Sequence, residues 1–187
     1  LTFMSSTGDS SDVVVRKKPG VRDTNYVFRI TGDVGAVSFY KITIENTEDN
    51  DSSRVLLVTK SLEKLSINYC VIRGTVHTAG QESADLLFMT HKADEMFVHN
   101  TLWEGGYRAL QVKARDEARI TKNHFTEQQH YAFEVLSGEP MMVGGNFING
   151  PSTGSFKGVY VGDISNAMNF SSNRLINQQV PCDYALL

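Results

Sequence analysis

The sequence predicts an all-β domain: about eight strands in a sandwich or closed barrel, with one or two short helices and long loops. Three observations carry this. Short segments of alternating apolar and polar residues recur along the chain, and a period of two marks a half-buried strand. Clusters of Gly, Pro, Asn, Asp and Ser punctuate those segments as turn signals do. Strands do not alternate with long helical patterns, as they would in a parallel α/β sheet, and no internal repeat is visible.

Residues 1–24 read as an N-terminal arm, 25–165 as the folded domain and 166–187 as a C-terminal tail. The first twelve residues are rich in Ser, Thr, Gly and Asp, too polar to bury. Val13–Val15 is a short apolar run, followed by Arg16, Lys17, Lys18 and the turn pair Pro19-Gly20. Tyr26–Ile30 suggests a strand. Val37–Glu45 alternates through Val37, Phe39, Ile42 and Ile44, with a slip at Tyr40-Lys41 that fits a bulge. Asn46–Ser53 is a polar loop, and Ser52 or Ser53 can N-cap a short helix reaching Lys60.

The longest expected strand is Leu65–Val76, with a bulge or close approach at Gly74. Ala84–Thr90 is nearly all apolar, as in a strand covered on both faces. Met96–Leu102 is a weaker strand, and Glu104-Gly105-Gly106 is a turn. Ala109–Ile120 has helical composition, yet Leu110, Val112 and Ala114 alternate, so helix and strand both remain open. Gln129–Leu136 alternates through Tyr131, Phe133 and Val135. Met141–Ser155 reads as a glycine-rich loop and Phe156–Ile164 as the last strand.

Composition bounds the function. Of the 187 residues, 41% are apolar and 21% charged, ordinary for a globular domain. The formal charge of −3 argues against a protein that binds nucleic acid through its overall charge. No apolar run approaches the ~20 residues that span a bilayer, and no signal peptide is evident. Leu1 in place of Met fits either proteolytic release from a precursor or a trimmed chain. Two cysteines, Cys70 and Cys182, are too few for a disulfide framework, which suggests an intracellular or redox-indifferent protein.

No catalytic signature stands out. The five histidines, His77, His91, His99, His124 and His130, fall in no HxH or HExxH spacing, and there is no CxxC. Cys70 sits mid-strand, where a thiol is a small hydrophobe rather than a nucleophile. Asp116 and Glu117, with Arg115 and Arg119, read as a solvated ionic surface or a subunit contact. Gly144-Gly145-Asn146 lacks the Lys-Ser/Thr of a phosphate loop. Two sequons, at Asn50 and Asn169, fit chance matches in polar loops. No cofactor or metal is expected. Arg16, Lys17, Lys18 and Arg22 form the basic cluster, either an RNA-phosphate contact or a solvated flank. Trp103, Tyr107 and Phe147 lie in loop-like surroundings, and are candidates either for subunit contacts or for the core.

Two segments resemble the small capsid proteins of plant picorna-like viruses, of comovirus and cheravirus type in the Secoviridae. In the first, Val55–Ser61 is followed by Leu65–Ile72, Arg73-Gly74 and Leu86–Met89. In the second, Gln128 and Gln129 precede Tyr131, Phe133, Val135 and Pro140. The resemblance spans about half the chain. It implies an eight-stranded antiparallel jelly-roll β-sandwich that is a structural subunit of an icosahedral capsid. Such a subunit is not an enzyme, is cut from a polyprotein, and assembles with identical or related subunits in host cytoplasm. It would reach genomic RNA through its arm and make no membrane contact. The alternative is a carbohydrate- or ligand-binding β-sandwich, or a trimeric cytokine-like jelly roll.

Overall fold

The computed structural model describes residues 1–17, 25–32, 34–48, 53–75, 84–137, 141–151, 156–162 and 168–176. Its rungs follow one another in chain order. The first is β1 (Thr2–Met4), β2 (Val14–Arg16) and β3 (Phe28–Ile30). Next come β4 (Val34–Tyr40), β5 (Thr43–Asn46) and β6 (Leu56–Val58), then β7 (Leu62–Asn68), β8 (Val71–Gly74) and β9 (Leu87–Met89). They continue through β10 (Ala93–His99), β11 (Leu102–Glu104) and β12 (Arg108–Thr121), then β13 (His124–Thr126) and β14 (Tyr131–Ser137). The last are β15 (Met141–Gly144), β16 (Phe147–Asn149), β17 (Gly158–Val161), β18 (Met168–Ser171) and β19 (Arg174–Ile176).

Each strand pairs in parallel with the equivalent strand one rung on, as β4 does with β7 and β5 with β8. The chain therefore winds as a parallel β-solenoid with three faces. Face A holds β1, β4, β7, β10, the second half of β12, β15 and β18. Face B is the seven-stranded sheet from β2 to β19. Face C holds β3, β6, β9, the first half of β12, β14 and β17.

The antiparallel jelly-roll sandwich is thus overturned. Period-two alternation reports one buried side; it does not report which strand lies alongside. The deciding feature is the short link between faces A and B. A single residue with positive φ stands there in rung after rung: Lys41 (52°), Tyr69 (57°), Asn100 (48°), Lys122 (55°), Gly145 (66°) and Ser172 (57°). One left-handed residue turns the chain a corner into the next face. It does not reverse the chain, as a two-residue hairpin would. The slip at Tyr40-Lys41 is such a corner rather than a bulge, and Leu65–Val76 breaks at Tyr69-Cys70 for the same reason. The segments that carry the resemblance form β6 to β9 and β14 of this solenoid, not strands of a jelly roll.

Other expectations change with it. Among the described residues there is no helix: the segment capped at Ser53 forms β6, and Ala109–Ile120 lies in the fourteen-residue β12, which bends from face C to face A. Met141–Ser155 is not simply a loop, since β15 and β16 lie there. The described part of the arm supplies β1 and β2, paired to β4 and β5, while β18 and β19 extend faces A and B beyond residue 165. Gly74 does mark a close approach: a Cβ there would meet Leu86 Cδ2 at 2.4 Å.

The interior is a stack of aligned side chains. On face B, Ile44, Ile72, Trp103, Phe125 and Ile148 fall in one register column, all buried, and the Trp103 and Phe125 rings stack 6.3 Å apart. Just past the A–B corner the interior turns polar. Thr101, Asn123, Asn146 and Asn173 succeed one another there, each hydrogen-bonded to the backbone of the rung before.

Candidate functional site

Stacking in register turns scattered residues into columns. On the outer surface of face A, Ser66, Phe97, Arg119 and Met142 form one column. Asn68, His99, Thr121, Gly144 and Ser171 form the next. Neighbours in a column are one strand spacing apart, ~4.8 Å. Lys122, Gly145 and Ser172 occupy successive corners beside them.

The side chains shrink along the second column. His99 and Thr121 give way to Gly144, and Gly145 stands at the adjoining corner. The missing side chains leave a depression of about 720 Å³ on face A, bounded by Phe97, Arg119, Lys122 and Met142. That volume is in the range of ligand sites. A Cβ at Gly144 would make ordinary contact with Ser171 O at 3.5 Å and Met142 Cε at 3.9 Å, without a clash.

The lining has one sign of charge. Lys64, Arg119 and Lys122 border the groove, and no carboxylate does among the described residues. Lys64 pairs with Glu95 at 2.9 Å and Arg119 with Glu117 at 2.6 Å, both just outside. Lys64 Nζ lies over the Phe97 ring at 4.3 Å from its centroid and Arg119 Cζ at 5.6 Å, so the ring holds the two cations in place. Lys122 makes no ion pair among the described residues. His99 Nδ1 lies 2.8 Å from Thr121 Oγ1. Burial, and then the Lys122 charge, hold its pKa below the ordinary imidazole value. The remaining lining is hydroxyl and amide: Ser66, Asn68, Thr121, Ser171 and Ser172.

Of the residues singled out in the sequence, His99, Arg119, Gly144 and Gly145 line the groove; the others lie elsewhere. Arg16 pairs with Glu45 at 2.7 Å, and Lys17, nearly buried, with Glu48; Lys18 and Arg22 lie outside the described residues. Trp103 is fully buried in the core. Tyr107 is half-buried and stacks on His130 at 4.7 Å. Phe147 is half-buried on the outer surface of face B, edge-on to His124 at 4.8 Å. Cys70 is buried, which pushes its thiol pKa up, away from nucleophile chemistry. Arg115 pairs with Asp94, and Asp116 lies 3.8 Å from Arg115. His77, Cys182 and the Asn50 sequon lie outside the described residues. Among those described, no three His, Cys, Asp or Glu side chains converge on a metal position.

The sequence reading missed Lys64, Phe97, Lys122 and Gly144 as a group. Their convergence depends on a register that no constant spacing announces. No family model, no curated protein and no solved structure matches the chain.

Proposed function

We propose that the protein is a glycan-binding module that takes a linear saccharide chain along the outer surface of face A. The observation that carries this is the groove itself. It crosses β7, β10, β12, β15 and β18, four strand spacings or ~19 Å, the reach of a short oligosaccharide. Five hydroxyl and amide side chains line it. Four of them stand on strands and Ser172 at a corner, so they meet sugar hydroxyls at little cost in side-chain order.

Binding fits this lining better than hydrolysis. Glycoside cleavage commonly runs on two carboxyl groups flanking the scissile bond, and the described lining holds none.

The test is a glycan array followed by calorimetry, comparing the natural sequence with Gly144→Leu. The added Cβ meets Ser171 O at 3.5 Å without a clash, and the rest of the side chain enters the groove. Glycan binding that disappears in this variant, with the melting temperature kept, is the expected result. Binding that survives it would place the ligand elsewhere and sink the proposal.

A further inference from the structure

We infer that this groove selects an acidic saccharide, one bearing uronate carboxylates or sulfates, and that Lys122 makes the distinction. The inference rests on the glycan reading above and adds the ligand's charge.

The three cations of the groove differ in what already faces them. The charges on Lys64 and Arg119 are largely answered by Glu95 and Glu117. Lys122 has no such answer among the described residues, yet it borders the same depression. An ammonium is a point charge with three donors, and the hydroxyls of Thr121, Ser171 and Ser172 lie in the same lining. Together they supply one charge and several neutral donors, which suits a carboxylate or sulfate set among sugar hydroxyls. A neutral sugar would leave the Lys122 charge unused.

Nucleic acid shares the negative charge but fits less well. Single strands bind by stacking bases on open aromatic rings. The lining offers one ring besides His99, Phe97, and two cations already lie over it.

The experiment measures affinity by calorimetry for polygalacturonate, its fully methyl-esterified form, a sulfated heparin oligosaccharide, neutral dextran and poly(U). The proteins are the natural sequence, Lys122→Met and Gly144→Leu. Lys122→Met keeps the aliphatic stem and a non-glycine corner, so the fold is expected to hold, and the melting temperature checks that it does. The expected result is an acidic polymer, carboxylated or sulfated, bound about tenfold more tightly than the neutral ones, the range of one charge-assisted hydrogen bond. Lys122→Met should erase that preference, the acidic polymers falling to the affinity of the neutral ones. Equal affinity for acidic and neutral forms, both lost in Gly144→Leu, overturns the inference and leaves the glycan reading standing. The inference also falls, with the glycan reading intact, if Lys122→Met keeps the acidic preference. Tightest binding to poly(U) overturns both, and so does binding to none of the five.

Discussion

The side chain of Asn146 serves the backbone around Asn123. Its Oδ1 accepts the Asn123 N–H at 2.9 Å, and its Nδ2 donates to the Ile120 carbonyl at 2.8 Å. Asn173 repeats the pattern one rung on, accepting from Asn146 N at 3.0 Å and donating to Val143 O at 2.9 Å. At this corner the chain leaves face A, and the backbone groups beside the bend would otherwise be buried without partners. The asparagine amide supplies a donor and an acceptor on one short stem.

A substitution in the middle of this ladder should therefore be strongly destabilising. Asn146→Leu keeps the volume but orphans the Asn123 N–H and the Ile120 carbonyl, a loss of about 2–6 kcal/mol at roughly 1–3 for each group. Asn173 is half-buried, so water can replace it, and Asn173→Leu should cost less than half as much. Urea unfolding of both variants checks the ranking; equal midpoints would show that the ladder does not carry the corner.

The next corner residue gives a cleaner backbone test. Gly145 sits at φ 66°, and a Cβ there would find only Lys122 Cγ at 3.6 Å and Lys122 N at 4.0 Å. A Cβ would make only ordinary contact there, so the penalty it brings comes from the left-handed backbone. Gly145→Val should lose about 1–2 kcal/mol, and Gly145→Asn distinctly less, since Asn tolerates that region. Melting curves that rank Asn below Val would contradict the corner geometry.

These two corners also show what the sequence could and could not disclose. Phe39, Ile44, Leu65 and Ile67 alternate because each strand has one buried side, so strand positions were legible. The partner of each strand was not. Ala93 pairs with Ala114, 21 residues on, whereas Thr2 pairs with Ser38, 36 residues on. Loops of unequal length between faces B and C hide the repeat, and Asn123, Asn146 and Asn173 follow no fixed interval. The groove was hidden for the same reason. Phe97 and Arg119 are neighbours only once the register is known, and Gly144 shapes the site by what it lacks.

A buried ion pair tests face C. Asp85 is fully buried and takes Arg108 Nε at 2.6 Å and Nη2 at 3.0 Å, while Arg108 Nη1 reaches Glu134 at 2.7 Å. Asp85→Ala takes away the buried carboxylate that holds Arg108 Nε and Nη2 and should cost about 3–5 kcal/mol. The double variant Asp85→Leu with Arg108→Met removes both charges, and Glu134 keeps the Gln111 amide at 2.7 Å. It should be more stable than Asp85→Ala alone. Denaturant midpoints decide this; a double variant weaker than the single one would mean that the charges themselves hold face C together.

His99 links stability and binding to pH. Burial and Lys122 depress its pKa in the folded chain below the ordinary value of about 6.5. The folded state then carries fewer protons than the unfolded one as pH drops from that value. The stability held above about 6.5 is lost as pH falls towards and through the lower folded pKa. An acidic ligand reverses the bias. An anion in the groove that holds Lys64, Arg119 and Lys122 favours the imidazolium, so the complex binds more protons than the free protein. Affinity should rise as pH falls towards the depressed pKa of the free protein, while a uronate, with a carboxylate pKa near ~4, stays ionised. The measurement is affinity for the acidic polymer at several values between pH 7.5 and 5, for the natural sequence and for His99→Gln. The natural sequence should gain affinity on acidification and the variant should stay flat. A parallel response in the two proteins would remove His99 from the site and leave Lys122 as the residue that reads charge.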